Sequence, residues 1–316
     1  MNPPEIVHRF RAMACDVTVR VIDPVPEATA AVASVEDLFR RIERTCTRFD
    51  PQSDLMRANT VATQWSVVDE ECLAAVTLAY DAYVRTGGLF DPRVLSALQA
   101  LGYDRSLDFD SGDVSTDGAM AGATSAAWSP RFDPARCALA IGDVPIDLGG
   151  IGKGYAVRRG GELLAGAGAG VLVEAGGDLI ARGLGPARSD GERRAWRAAV
   201  EDPRPGHDAP IAMLDVTDAA TATSSVRLRR WKASGADVHH LIDPATGQPS
   251  TSDLLAVTVV GADPAWAEVW TKVGFLQGGA VIGDFMEQAD LAALWVDTDG
   301  HVHVSAAMRP RLLWQA

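Results

Sequence analysis

The sequence predicts a mixed α/β (α+β) fold, because helical and strand-like apolar patterns alternate along its 316 residues. Apolar residues recur every three or four positions from Val32 to Cys46, which is the pattern of one helix face. The run from Leu254 to Val260 is rich in β-branched residues and is typical of a strand. Apolar segments also flank Asp297-Thr298-Asp299-Gly300, which is a hairpin signal.

The first half of the chain contains one predicted strand and three predicted helices. Loop residues at 49–54 follow the first helix, and Gly87-Gly88 ends the second. The segment 104–136 is rich in Asp, Ser, Gly and Ala without periodicity, so we expect a long loop or an insertion. The predicted elements are, in order, a strand at 17–22, a helix at 32–46, a helix at 73–83 and a short helix at 95–101.

The second half alternates strands with two predicted helices. We expect residues 1–316 to form a single domain, with a possible sub-domain seam in the stretch 104–136. The predicted elements are a strand at 138–141, a helix ending near 164, strands at 171–173, 179–180, 196–200 and 254–260, a helix at 264–277, and a hairpin with strands at 292–296 and 301–304.

Charge and composition exclude several classes of function. Lys plus Arg total 29 and Asp plus Glu total 42, so the formal net charge is −13, which disfavours nucleic acid or a membrane surface as the main partner. The four cysteines form no CxxC pair and are expected to be free thiols. The first residues show no signal-peptide pattern, and no apolar run reaches the ~18–20 residues of a membrane span, so we expect a cytoplasmic protein.

The glycine-rich segment Asp147–Gly154 is the first candidate site. Glycines between a strand and a helix let the backbone approach a ligand, and a helix N-terminus favours phosphate. The spacing matches neither a Walker A loop nor GxGxxG. A tight junction between strand and helix explains the same glycines, so both interpretations stay open from spacing alone.

A second candidate is His240 with Asp243, which could supply a general base and an orienting carboxylate. The residues alone favour a simpler interpretation, in which this histidine is partly buried at a strand edge. No HExxH, GxSxG or EF-hand pattern is present, so the commonest hydrolase and metal signatures are absent.

Read together and in order, these segments resemble the ApbE family of FAD-dependent FMN transferases. The strongest match is the segment from Asp147 to Val157, and the matches extend from about residue 10 to about residue 280. They comprise Met13-Ala14-Cys15, Phe49 to Leu55, Thr86 to Pro92, Asp147 to Val157, Glu174 to Asp178, Ala222-Thr223-Ser224 and His240 to Pro249.

The resemblance implies an ApbE-like fold of mixed sheets flanked by helices, and an enzyme that cleaves FAD with Mg²⁺. FMN is transferred to a Thr or Ser hydroxyl of an acceptor protein and AMP is released, whereas some relatives hydrolyse FAD to FMN and AMP. His240 would be the base that deprotonates the acceptor. The implied FAD contacts are Met13, Phe49, Leu89, Phe90, Asp91, Asp147 and Lys153, with Thr223 and Ser224 lining the flavin site.

One departure concerns the metal. The resemblance implies that the Gly150 carbonyl and the Thr271 hydroxyl bind the ion, with an Asp four residues before the threonine, but that position is Ala267. Glu268 lies three residues before Thr271, on the same helical face, and is our expected replacement ligand. The alternative is weakened metal binding in a protein that binds FAD with little transferase activity. A milder departure is Met-Ala-Cys at 13–15, where the family has Met-Gly-Thr.

Overall fold

The computed structural model describes residues 4–105, 113–114, 126–187, 195–227 and 229–316. The helices are α1 (Ala28–Cys46), α2 (Asp54–Thr60), α3 (Glu70–Arg85), α4 (Leu95–Ala100), α5 (Gly152–Leu163), α6 (Pro264–Gln277) and α7 (Gly279–Gln288). The strands are β1 (Glu5–Ala12), β2 (Cys15–Pro24), β3 (Ser66–Val67), β4 (Asp113–Val114), β5 (Arg131–Asp133), β6 (Ala138–Ala140), β7 (Gly168–Ala175), β8 (Asp178–Gly183), β9 (Arg197–Glu201), β10 (Pro210–Asp215), β11 (Ala219–Ser225), β12 (Arg230–Ala233), β13 (Ala236–His239), β14 (Ile242–Asp243), β15 (Gln248–Pro249), β16 (Leu254–Gly261), β17 (Ala292–Asp297), β18 (Val302–Val304) and β19 (Leu312–Gln315).

The chain divides into two compact units. Unit 1 comprises Met1–Arg40, Lys153–Ser224 and Asp253–Ala316, and unit 2 comprises Arg41–Gly152 and Ser225–Ser252. The stretch 104–136 belongs to unit 2, and most of it lies outside the described residues.

Unit 1 is organised around an eight-stranded sheet with the order β1-β2-β7-β8-β11-β16-β17-β18. A smaller sheet, β19-β10-β9, shares a core with it, in which Ile22, Leu172, Trp196, Leu214 and Leu294 are buried. Helix α6 packs on β16. The long apolar runs of β7 and β16 fit this arrangement, because their residues are buried on both faces of the sheet.

Glycines allow α5 to pack closely inside unit 1. A Cβ at Gly154 would lie 2.6 Å from the Pro264 carbonyl oxygen, so the start of α5 touches the backbone at the start of α6. Later in α5, a Cβ at Gly161 would lie 2.9 Å from the Ile180 side chain, so this part of the helix is also closely packed. Gly154 and Gly161 therefore serve close packing.

Unit 2 contains three small sheets, β3-β6-β5, β13-β12-β4 and β14-β15. Strands β12 and β13 cover a core that includes Leu98, Tyr103, Trp231 and Val238. The Trp231 indole N–H donates to the Leu101 carbonyl at 2.8 Å, so this aromatic residue is held at both its apolar and its polar end.

The mixed fold class is confirmed, and most predicted elements are present. Helix α6 begins and ends where the sequence predicts, because Asp263 caps its N-terminus and Gly278 ends it at φ +73°. The prediction missed α2 and α7, and strands such as β10, β12 and β13. None of the four cysteines forms a disulfide bond. Among the described residues, no helix has both the length and the apolar character needed to cross a bilayer.

The contact at Gly154 predicts a specific loss of stability. In Gly154→Ala the new methyl group would lie within 2.7 Å of Ala265 Cα, so we expect the free energy of unfolding to fall by about 1–3 kcal/mol. Gly261→Ala is the matched control, because a Cβ there meets nothing within 4 Å, and it should change stability by about 0.5 kcal/mol or less. Equal denaturation midpoints for the two variants would contradict this packing.

Candidate functional site

Unit 1 contains a buried group of four charged side chains, Lys153, Asp178, Glu268 and Lys272, called here the lysine–carboxylate cluster. Lys153 pairs with Asp178, and its Nζ also lies 3.5 Å from Glu268 Oε1. Lys272 Nζ lies 3.2 Å from the same Glu268 oxygen. The cluster therefore links four charges of alternating sign, and its formal charge is zero.

Three elements of unit 1 position this cluster. Lys153 is the second residue of α5, and Asp178 is the first residue of β8, directly after the Gly176-Gly177 turn with φ of +58° and +91°. Glu268 and Lys272 lie one turn apart on α6. The close approach of α5 to α6 brings all four charges together.

Glu268 also holds the start of α5. Its Oε2 accepts a hydrogen bond of 2.8 Å from the Gly154 N–H, which is one of the first amides of that helix. Its Oε1 faces the two ammonium groups. Both carboxylate oxygens therefore have partners within unit 1.

Burial and charge pairing oppose each other in the cluster. Burial raises the pKa of Asp178 above its ordinary value, against the attraction of the Lys153 ammonium. Burial also acts to raise the pKa of Glu268, but Lys153, Lys272 and the Gly154 N–H outweigh it and hold that pKa below its ordinary value. Burial lowers the pKa of Lys272, against the attraction of Glu268. The two lysines and the Gly154 amide thus favour the ionised form of Glu268.

Hydroxyl groups surround the cluster. Thr271 Oγ1 donates to the Glu268 carbonyl at 2.7 Å and lies 2.7 Å from Ser224 Oγ. Lys272 Nζ lies 3.4 Å from the same serine oxygen. The Thr223 backbone N–H donates to Asp178 Oδ1 at 3.2 Å. Five residues proposed from the sequence are thus brought together in unit 1, namely Lys153, Thr223, Ser224, Glu268 and Thr271.

Two members of the cluster, Asp178 and Lys272, were missed by sequence reasoning. Asp178 ends the glycine-rich segment that begins at Glu174, so the resemblance placed it near a site without giving it a role. The signal for Lys272 was its spacing of four residues from Glu268, which also describes many solvated pairs on helix surfaces. Only the packing of the α6 face that carries Glu268 and Lys272 distinguishes this pair from a solvated one.

Met13, also in unit 1, lies in the tight turn between β1 and β2. Ala12 pairs with Cys15 across this turn, so the loop consists of Met13 and Ala14. Both adopt left-handed conformations, with φ of +54° and +58°. Glycine or asparagine usually occupies such positions, and Ala14 therefore carries backbone strain of about 1–2 kcal/mol.

In unit 2, Arg48 connects several predicted residues. Its Nε lies 3.4 Å from Asp147 Oδ1, and its guanidinium donates to the Tyr103 carbonyl. The same group stacks over the rings of Phe49 and Tyr103, 4.4 Å and 4.0 Å from their centroids. The Arg48 side chain is only 7% exposed. No sequence pattern pointed to Arg48, because a single arginine after a helix is normally solvated.

Asp147 and the residues after it form the turn that leads into α5. Asp147 Oδ2 accepts from the Gly149 N–H at 2.9 Å. The Gly152 N–H donates to the Leu148 carbonyl at 2.7 Å, and Gly150 lies half-buried in this turn. The turn belongs to unit 2 up to Gly152.

Leu89, Phe90 and Asp91 are neighbours in unit 2 with different environments. Leu89 is exposed, whereas Phe90 and Asp91 are buried. The Asp91 carboxylate is held by Arg93, whose Nη2 lies 2.7 Å from Asp91 Oδ2. Arg93 in turn donates to the Ala126 carbonyl at 2.7 Å. Asp91 therefore orients the arginine that links residues 89–93 to Ala126.

His240 and its neighbour His239 are held differently. His239 Nδ1 accepts from the Leu241 N–H at 3.2 Å and its Nε2 lies 3.0 Å from the Ser250 carbonyl, so both ring nitrogens contact backbone. Burial lowers the pKa of His239, which favours a neutral ring. His240 Nδ1 lies 3.3 Å from the Arg229 carbonyl, a contact that assigns the proton to Nδ1 and the lone pair to Nε2.

Asp243 stabilises a backbone turn. Its Oδ1 accepts from the Ala245 N–H at 2.9 Å, which stabilises the turn between β14 and β15. The Arg229 carbonyl lies 3.3 Å from His240 Nδ1 and helps to orient the ring. A catalytic role of Asp243 stays a prediction.

Comparison with known proteins gives consistent matches. The sequence profile of the ApbE family matches residues 13–295. A protein of Klebsiella pneumoniae named FAD:protein FMN transferase is 27% identical over 283 residues, which cover 87% of this chain and 79% of that protein. A protein of Treponema pallidum with the same name is 28% identical over 319 residues, covering 94% of this chain and 85% of that protein.

Solved structures show a similar fold. The ApbE protein of Thermotoga maritima superposes with a TM-score of 0.78 at 24% identity, and the match covers 98% of this chain and 99% of that one. The flavin transferase ApbE of Vibrio cholerae superposes with a TM-score of 0.77 at 21% identity, covering 98% and 100%. The mixed arrangement of sheets and helices is therefore shared with these proteins.

The position of Glu268 predicts a structural penalty for its removal. In Glu268→Ala the Lys272 ammonium loses its carboxylate and α5 loses a capping acceptor, so we expect the free energy of unfolding to fall by about 3–5 kcal/mol in chemical denaturation. The control is Glu162→Ala, which removes an exposed pair with Arg159 and should cost less than about 1 kcal/mol. Similar losses for the two variants would mean that the cluster does not stabilise unit 1.

Proposed function

Because the chain belongs to the ApbE family over residues 13–295, we propose that it is an FAD:protein FMN transferase. It takes FAD as donor, attaches FMN through a phosphoester to a Thr or Ser of an acceptor protein, and releases AMP. The observation that carries this proposal is the continuity of the match. Both relatives of that name align with most of the chain, and every proposed site residue lies inside the matched range.

The reaction replaces the phosphoanhydride bond of FAD by a phosphoester bond to the acceptor. The acceptor hydroxyl oxygen attacks the phosphorus of the FMN half of FAD, and the bond from that phosphorus to the bridging oxygen breaks. AMP leaves with the bridging oxygen and its electron pair, while the hydroxyl proton passes to a base. His240 is the proposed base, since its Nδ1 contact with the Arg229 carbonyl leaves Nε2 as the basic nitrogen.

The proposed FAD contacts divide by chemistry. Phe49 and Leu89 are exposed apolar side chains that suit the flat rings of the ligand, and Met13 offers a polarizable one. Lys153 is the proposed phosphate contact. The remaining proposed contacts are Phe90, Asp91, Asp147, Thr223 and Ser224, and Asp243 is retained as a proposed partner of the base.

Mg²⁺ is the cofactor that the resemblance implies, with Gly150 and Thr271 as ligands, and Glu268 is the replacement that we predict for the missing Asp. The ion demands near-octahedral coordination by oxygen at about 2.0–2.1 Å. In unit 1, however, both Glu268 oxygens already meet cations or an amide, and Thr271 donates its hydroxyl proton to a carbonyl. Ala267 supplies no donor.

These residues of unit 1 therefore do not fit a magnesium site. Among the described residues, the one grouping of three side chains suited to a metal lies elsewhere, at Asp297, Asp299 and His301. Dependence of the reaction on Mg²⁺ stays a prediction, which a magnesium titration of FAD cleavage by the wild-type chain tests.

Two alternatives differ in what they release. An FAD pyrophosphatase would produce FMN and AMP with water as the acceptor, and a non-catalytic FAD-binding protein would release neither.

We propose a cytoplasmic location, so that FAD and the acceptor protein share its compartment.

The transferase proposal predicts a covalent product. Incubation with FAD, Mg²⁺ and an acceptor carrying a Ser/Thr-Gly-Ala-Thr type segment should add the mass of one FMN to the acceptor, together with an equal amount of AMP. His240→Ala should slow this transfer by about 10²–10⁴-fold, because the base is lost. Intact mass spectrometry and AMP quantification provide the readouts.

The control is His207→Ala, which removes an exposed histidine of unit 1 and should leave the rate unchanged. AMP release without a mass increment on the acceptor would instead identify a pyrophosphatase. FAD binding with no AMP at all would identify a flavin-binding protein.

A further inference from the structure

Lys272 is the lysine of the lysine–carboxylate cluster for which neither the sequence patterns nor the resemblance provides a role. It lies on α6, directly after Thr271, and its Nζ approaches both Glu268 Oε1 at 3.2 Å and Ser224 Oγ at 3.4 Å. A lysine is seldom buried without such partners. These contacts place Lys272 among the residues of unit 1 that the sequence proposed for the site.

The four side chains of the cluster differ in how exposed they are to solvent. The side chains of Asp178 and Glu268 are 0% and 2% exposed, whereas those of Lys153 and Lys272 are 15% and 17% exposed. A ligand that reaches the cluster therefore meets the two lysines before the carboxylates. The exposed layer is cationic although the whole cluster is formally neutral, and such a layer attracts anions and repels divalent cations.

The ammonium of Lys272 also uses the oxygen that a metal ion would need. Glu268 Oε1 is 3.2 Å from Lys272 Nζ and 3.5 Å from Lys153 Nζ. A divalent cation at that oxygen would stand close to two ammonium groups and would have to displace them. The positive charge at this place is thus already supplied by the chain itself.

We propose that Lys272, together with Lys153, binds the pyrophosphate of FAD and takes the place of a divalent cation at this cluster. This inference rests on the proposed transferase function and names the groups of unit 1 that would hold the donor. Glu268 then serves to orient the two ammonium groups, and the Ser224 hydroxyl provides a second contact for the Lys272 ammonium. Two ammonium groups match the two negative charges of the pyrophosphate, and they would stabilise the charge that develops on the departing AMP.

The test measures FAD binding by quenching of flavin fluorescence, once with excess EDTA and once with excess MgCl₂. For the wild-type chain we expect the same Kd under both conditions. In Lys272→Met the Kd for FAD in EDTA should rise by about tenfold or more, because one buried ionic contact with phosphate is lost. Riboflavin, which lacks the pyrophosphate, should bind to both proteins equally well.

Two further variants keep the test decisive. Lys272→Gln removes the charge but retains a polar group for Glu268 and Ser224, so it replaces the methionine variant if that one does not fold by circular dichroism. Lys232→Met is the matched control, since it removes an exposed lysine of unit 2 paired with Asp237, and it should leave the Kd unchanged.

The outcomes separate this inference from the function on which it rests. Wild-type binding of FAD that requires MgCl₂ overturns the role of Lys272, as does an unchanged Kd in both Lys272 variants, and the transferase proposal survives in either case. If the wild-type chain binds neither FAD nor riboflavin under any condition, the proposed function itself fails. Metal-independent binding of FAD that weakens only in the Lys272 variants supports the proposal.

Discussion

The contact between the starts of α5 and α6 is the constraint on which the lysine–carboxylate cluster depends. With no side chain at Gly154, the backbone of α5 meets Pro264 and Ala265 directly. Glu268, one turn into α6, then reaches the Gly154 N–H, and Lys272, one turn further, reaches Glu268. The positions of the charged groups are therefore set by backbone packing between two helices. Rigid elements of this kind hold side chains more accurately than loops do.

A buried cluster of four charges needs an explanation beyond stability. Replacing buried ion pairs by well-packed apolar residues is often neutral or stabilising, because desolvation consumes most of the Coulombic gain. In unit 1 the carboxylates are fully enclosed and the lysines partly accessible. This arrangement holds two ammonium groups ready for an anion without reorganisation, and that is the kind of pre-organised electrostatics on which phosphoryl transfer relies.

The sequence predicted the helices and strands whose local residue pattern agrees with their packing in the folded protein. Helix α6 was predicted to the residue, because its cap at Asp263 and its glycine end are local signals. Strands β12 and β13 were missed, since charged residues such as Lys232 and Asp237 alternate with the buried Trp231 and Val238 in a segment that looks polar overall. Arg48 and Lys272 were missed for a related reason: long charged side chains are normally solvated, and only tertiary packing buries them.

The order of strands in unit 1 has a consequence for how the chain folds. Strand β2 pairs with β7, so some neighbours in the sheet come from distant parts of the chain. During synthesis β2 presents an unpaired edge until β7 has emerged, which exposes the nascent chain to aggregation. Non-local pairing of this kind also slows folding, because long loops must close first. The four charges are assembled only when α6 has been made, so the chemistry of unit 1 is acquired late in the synthesis of the chain.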